Sequence, residues 1–323
     1  MHRIGIVYNP FAGGLKGRGL VRLEKAVRTL EGPDRTVELF GTPGPNRAGE
    51  LARHAIDSGC DLILAAGGDG TINEVVNGIA GSRVVFGILP SGTANVLANE
   101  IGFANRPDIA ARQLVESTPI QVPLGAVNRD HQPRRYFLMM AGVGFDARIV
   151  YELDAGLKHR IGKLAYWHGG FRQFGRPVPR FLVRVNGEEF HASFALITRV
   201  RNYGGDFEIA RRIRLTDNDF EVVMFRNTDW HHYVRFFGAV LTNRLYSLNG
   251  VTVVRATDLE VMTPEDQRIY IQIDGESIGV LPASISIVPA ALTLLVPKTY
   301  AALGNPVSAA RNLQMSDGVS PLS

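Results

Sequence analysis

The sequence predicts an N-terminal doubly wound α/β domain followed by a β-sandwich domain, and three observations predict it. At 323 residues the chain exceeds one ordinary hydrophobic core, so about two domains are expected. Its first third alternates short β-rich runs with helical patterns, as a parallel sheet with crossover helices requires. From about Ile120 onward β-rich runs follow one another with few helical interruptions, the pattern of a sandwich.

In chain order, strands are expected over 4–8, 36–40, 62–66 and 84–89, and helices over 19–30, 47–57, 72–79 and 95–101. Together they make a Rossmann-like sheet, whose ligands sit beyond the carboxyl ends of the strands. In the second part, runs at 136–140, 181–185, 193–198, 220–225, 250–256 and 270–273 read as strands. Helical patterns near 157–174 and 233–246 interrupt them. The most apolar stretch, 280–297, carries Pro282, Ser284, Ser286, Pro289 and Pro297, so it reads as two sandwich strands rather than a membrane-spanning helix. After Asn305 the tail is rich in Ser, Asn and Pro and reads as loose.

Apolar residues at 45% and charged residues at 20% exclude wholesale disorder. A formal charge of +4 fits an anionic partner without choosing among nucleotide, acidic lipid surface and nucleic acid. Cys60 is the only cysteine, which rules out an intrachain disulfide or a thiolate zinc site and suits a reducing compartment. The start of the chain has too short an apolar run for the core of a signal peptide, so a cytoplasmic protein is expected. His54, His131, His191, His231 and His232 lack metal-ligand spacing, and H-E-x-x-H does not occur, which leaves metal-dependent hydrolase chemistry without support.

Three of the expected strands end in glycine-rich turns: Asn9-Pro10-Phe11-Ala12-Gly13-Gly14, Gly67-Gly68-Asp69-Gly70-Thr71 and Pro90-Ser91-Gly92-Thr93-Ala94-Asn95. Glycines there leave backbone N–H groups bare, and a helix N-terminus behind them faces the same point, with Thr71 available as its cap. Such a turn suits a phosphate, but it has no lysine, so the anion's charge must be met by a metal or by arginines from elsewhere. A carboxylate among phosphate-binding amides repels the anion unless a divalent cation intervenes, so Asp69 is assigned to Mg2+, directly or through water. The plainer readings are a Gly/Asp turn for 67–71, a bare helix cap for Thr93 and Asn95, and an ordinary turn residue for Thr42. Two phosphate-type turns at neighbouring strand ends favour the first reading.

In order and spacing these turns, with Glu74-Val75-Val76-Asn77-Gly78, Gly142-Val143-Gly144-Phe145-Asp146-Ala147, Gly162-Lys163-Leu164-Ala165-Tyr166 and Ile273-Asp274-Gly275-Glu276, resemble the diacylglycerol kinase and sphingosine kinase catalytic superfamily, closest to its bacterial soluble lipid kinases. The resemblance spans roughly residues 1–300. It implies ATP and Mg2+ in a cleft between the domains, with nucleotide contacts from Asn9, Thr42, Gly67, Gly68, Asp69, Gly70, Thr71, Gly92, Thr93 and Asn95. Asp274 matches the base that accepts the lipid hydroxyl's proton, with Asp69 and Glu276 as its catalytic companions. The segment 209–219 is similar to the family's structural Mg2+ loop, Asp217 falling on the metal-binding carboxylate and Arg214 and Asp219 on the carbonyl positions. Arg211 and Asn218 replace a proline and a glycine there, and Asn99 stands where many relatives carry arginine.

The implied domains are 1–122 with the returning strand and tail at about 295–310, then 123–294 for the lipid side, and a loose end over 311–323. The implied partner is a membrane lipid met from the cytoplasmic side, through peripheral contact with the membrane's inner face and with no nucleic acid involved. The residues 158–168 mix cations with aromatics at helical spacing, which suits either an anionic membrane surface or an ordinary connecting helix. An edge strand of the sandwich leaves a homodimer open. Two other functions stay open: a small-molecule kinase of the NAD kinase type, and a catalytically idle lipid-binding regulator.

Overall fold

The computed structural model describes residues 1–15, 17–144, 178–203, 207–242, 244–264 and 267–303. The pattern near 157–174, the motif residues 145–147 and 162–166, and the tail after Asn305 lie outside the described residues. The first domain runs β1 (Arg3–Tyr8), α1 (Arg18–Leu30), β2 (Thr36–Gly41), α2 (Ala48–Asp57), β3 (Leu62–Gly67), α3 (Asp69–Ile79), β4 (Val85–Pro90), α4 (Val96–Ile101) and α5 (Pro107–Val115). The strands pair in parallel in the order β2-β1-β3-β4. Every residue of β3 is buried, because a parallel sheet is covered by helices on both faces. Helix α2 packs down on it through Ala48, Ala52 and Ala55, small residues that let the helix approach closely.

Among the elements not expected from the sequence, a helix and a strand join the two domains. Helix α5 opens with Pro107 at its first position, where a missing N–H costs nothing. It is followed by β5 (Thr118–Asn128), a strand that buries the run 122–127. The remaining strands are β6 (Arg135–Phe137), β7 (Met140–Gly144), β8 (Phe181–Val185), β9 (Glu188–Ala192), β10 (Phe194–Thr198), β11 (Asn202–Tyr203), β12 (Phe207–Glu208), β13 (Phe220–Phe225), β14 (Val251–Ala256), β15 (Asp258–Met262), β16 (Tyr270–Ile273), β17 (Glu276–Val280) and β18 (Ala283–Val296). A helix over Trp230–Leu241 and another over Lys298–Ala302 complete the described chain.

Residues 280–297 hold one long strand rather than two sandwich strands. β18 is 14 residues long and keeps pairing with β5 on either side of Pro289, where the register shifts between Val288 and Leu292. A shift of this kind accommodates a residue without an N–H. Near its end Thr293 and Leu294 pair in parallel with β4, while Ala283–Ser286 pair with β15 of the second domain. The first domain's sheet therefore runs on, through β18, into one face of the sandwich. The opposing face is the antiparallel sheet β14-β13-β10-β7-β16-β17. Phe137, Phe181, Val183 and Ile285 from one sheet close a core with Ile197, Phe220, Val222 and Ile271 from the other. Among the described residues no helix is long and apolar enough to cross a membrane.

Candidate active site

The three glycine turns are sewn together by backbone hydrogen bonds. Asn9 N–H donates to Ala66 O (3.2 Å), Gly14 N–H to Ser91 O (3.1 Å) and Ser91 N–H to Gly67 O (2.8 Å). Close approach is what demands glycine here: a Cβ on Gly92 would stand 2.5 Å from the Cα of Gly68. Asn95 adopts a left-handed conformation (φ 47°) and clamps its own turn, accepting from Gly92 N–H (2.8 Å) and donating to Gly92 O (3.0 Å). Its amide is thus spent on shaping the turn. Thr93 is exposed at the tip. Asn99 is likewise used locally, donating to Ala94 O and accepting from Asn105.

Helix α3 starts at Asp69 rather than at Ile72, with Gly68 as N-cap and no side-chain cap. Thr71 does not cap it. Its side chain folds back on Gly67, where an added Cβ would lie 2.5 Å from Thr71 Oγ1. Asp69 instead reaches to the next turn, accepting from Val96 N–H at the start of α4 (3.0 Å), with the amides of Asn95 and Leu97 also turned to it. Burial, and then the charge of Asp274, push its carboxyl up to about 6. Thr42 follows β2, its N–H bonded to Tyr8 O, and its hydroxyl is buried without a hydrogen-bond partner among the described residues.

Asp274 comes to this place from the other domain. It and Gly275 both have positive φ (47° and 85°), the geometry of a two-residue turn joining β16 to β17. Its carboxylate is buried and accepts four hydrogen bonds: Met139 N–H (3.0 Å) and Met140 N–H (2.9 Å) on Oδ1, Leu138 N–H (2.9 Å) and Asn73 Nδ2 (2.8 Å) on Oδ2. Burial raises its pKa, and the four donors oppose that rise. Glu276 is exposed one step further on, with Oε1 2.8 Å from where a Cβ on Gly70 would be.

Asn73 was missed by sequence reasoning, although it is wholly buried and bonds directly to Asp274. Asn77, one turn along α3, donates to Tyr136 O (2.8 Å) and accepts from Tyr136 N–H (2.8 Å). Together they tie α3 to the strand that leads to the Asp274 amides. Two asparagines four residues apart on a helix that otherwise buries Ile72, Val75, Val76 and Ile79 were the available signal.

Asp217, Arg214 and Asp219 lie on the loop that leads into β13. Asp217 N–H bonds to Arg214 O (3.0 Å), and Arg214 N–H returns to Asp217 Oδ2 (3.0 Å). Arg255 from β14 already holds both carboxylates, its Nη2 3.2 Å from Asp217 Oδ2 and its Nε 2.8 Å from Asp219 Oδ2. A divalent ion asks for about six oxygens, and a guanidinium in van der Waals reach repels it. As placed, this segment does not fit the expected ion.

Residues 3–127 match the diacylglycerol kinase catalytic domain family, and residues 139–296 match the YegS C-terminal NAD kinase beta sandwich-like domain family. A diacylglycerol kinase of Bacillus subtilis is 28% identical over 310 residues, covering 93% of this chain and 98% of the relative. One from Mycobacterium tuberculosis is 29% identical over 307 residues, covering 92% and 97%. The crystal structure of a diacylglycerol kinase from Bacillus anthracis shares the fold, with a TM-score of 0.73, 22% identity and coverage of 91% of this chain and 97% of that one. Fold and matched domains define an enzyme of the lipid kinase class. The chain belongs to the bacterial diacylglycerol kinase and YegS lipid kinase branch, as its turns and the late Asp-Gly-Glu led one to expect.

Proposed function

We propose that the chain transfers the γ-phosphoryl group of magnesium-bound ATP to a hydroxyl of a membrane lipid of the diacylglycerol type. The observation that carries this reading is the meeting of Asp274, from the sandwich, with the turn 67–71 of the α/β domain, through Asn73 and beside Asp69. The names of the relatives support the lipid acceptor. The glycine turns 67–71 and 90–95 cradle the phosphates, Thr42 gives its unpartnered hydroxyl to the nucleotide, and Asp69 faces the ion carried in with ATP. A carboxylate whose pKa is raised by burial and by the charge of Asp274 is a place where a divalent cation relieves repulsion.

In the transfer step the lipid oxygen forms a bond to the γ-phosphorus as the β,γ-bridging P–O bond breaks, and ADP leaves. Asp274 takes the hydroxyl's proton. Its four lone-pair directions are filled before substrate arrives, and Asn73 is the only side chain among the donors, so its amide is the one that yields to the incoming O–H. Glu276 borders the same turn and orders it. Membrane contact is proposed for the face where two adjoining clefts of about 410 and 450 Å³ share Arg226 and are flanked by Arg180 and Arg235. Acidic headgroups suit those cations.

Calorimetry with Mg–ATP, followed by transfer from labelled ATP to diacylglycerol, sphingoid base, ceramide, phosphatidylglycerol and NAD in neutral and anionic vesicles, tests the reading. Binding of the nucleotide and labelling of diacylglycerol, faster on anionic vesicles, is the expected result. No nucleotide binding, or labelling of NAD alone, would refute it. Gly92→Ala should separate the turns, weakening Mg–ATP binding about 10-fold or more and costing about 1–3 kcal/mol of stability, read by calorimetry and urea denaturation. Unaltered affinity would mean that the closeness of these turns has no part in holding the phosphates.

A further inference from the structure

The loop 211–219 of this chain holds its own cation. Arg255 spreads its guanidinium over three acceptors of the loop: the Asp219 carboxylate, gripped by Nε and Nη2, Asp217 Oδ2, and the carbonyl of Arg212, which accepts from Nη1. Asp217 is buried, and within the loop its Oδ2 also accepts from Arg214 N–H. Its Oδ1 has no hydrogen-bond partner among the described residues, but a cation there would lie against the guanidinium that already holds Oδ2 of the same carboxylate.

A second cation backs the loop. Arg199 is wholly buried and bridges Leu215 O (2.5 Å) to Leu138 O (3.2 Å), and the N–H of that same Leu138 donates to Asp274. The loop's order is therefore relayed by one side chain to the amides that hold Asp274. Whatever neutralises Asp217 and Asp219 keeps that relay in place.

We propose that Arg255 is the built-in counter-ion of this loop, replacing the divalent metal that the family resemblance implies, so that loop and relay are independent of Mg2+. A planar fork suits this task because it satisfies two carboxylates and a carbonyl at once and stays charged at any physiological pH. The inference concerns the loop that leads into β13 and does not depend on which nucleotide or lipid is used.

The test uses the full-length protein without nucleotide. Thermal melting of the wild type should give the same midpoint in EDTA and in millimolar Mg2+. Arg255→Met should melt several degrees lower in EDTA and recover at least half of that loss on addition of Mg2+ or Ca2+, because two carboxylates are then bare. Arg255→Lys, which keeps the charge but not the fork, should fold, fall between the two and respond weakly to Mg2+. The proposal is overturned if Mg2+ raises the wild-type midpoint and Asp217→Asn abolishes that rise. It is equally overturned if Arg255→Met in EDTA melts like the wild type.

Discussion

Asp274→Asn is expected to lower turnover by about 10²- to 10⁴-fold while leaving Mg–ATP affinity within a factor of a few. The reasoning starts from the donors. Oδ1 can still accept from Met139 and Met140, and the new NH2 group can donate to Asn73 if that amide turns over. The N–H of Leu138 is then left without its partner and the turned Asn73 amide gives up its bond to Tyr136 O, at about 1–3 kcal/mol each, partly offset by removing a buried charge. Asp274→Ala strands all four donors and should destabilise more, so a comparison of the two variants separates holding the fold from taking the proton. Steady-state kinetics with melting curves for both would settle it. Wild-type turnover in Asp274→Asn would remove Asp274 from the chemistry.

Asp69→Asn should give the opposite signature in stability. The Asp69 carboxyl stands at about 6 in the folded protein, raised first by burial and then by Asp274, against about 4 in an unfolded chain. Between those values the folded state holds a proton that the unfolded state has lost, so this group's contribution to stability is present below about pH 4 and disappears as pH rises through about 6. At pH 7.5 the ionised Asp69 is a liability of about 1–2 kcal/mol once solvent reach at a half-buried group is allowed for. Asparagine keeps an oxygen for Val96 N–H and sheds the charge. The ligand-free variant should therefore melt a few degrees above wild type at pH 7.5, and the gap should narrow towards pH 5. Phosphoryl transfer should fall by about 10²-fold or more at pH 7.5, and the variant should lack the climb through about pH 6 that the wild type shows. A variant that is less stable at pH 7.5 and active would show that Asp69 serves only as the cap of α4.

Much of the α/β domain was legible before any coordinate. Strands at 4–8, 36–40, 62–66 and 84–89 recur within a residue or two of β1 to β4, because each is a short apolar run closed by a turn. In the sandwich, 181–185, 220–225 and 270–273 coincide with β8, β13 and β16. Helix α5 and the extent of β5 were not legible, since 107–115 is short and opens on a proline, and the apolar run 122–127 is interrupted by a proline and a glycine. Region 280–297 misled because proline and serine suggested a break, whereas pairing with β5 on both sides of Pro289 carries the strand through.

The candidate site divides the same way. Glycine turns at strand ends, and an Asp-Gly pair between β16 and β17, are local statements about backbone freedom, and the sequence by itself determined them together with the order of the domains. What only the tertiary structure decided was which partners those residues meet. Asn73 and Asp274 lie 201 positions apart, Leu138 and Asp274 lie 136 apart, and Arg255 and Asp217 lie 38 apart. No period or spacing encodes such pairs, because burying a carboxylate forces it to find donors wherever the closed fold brings them within 3 Å or so.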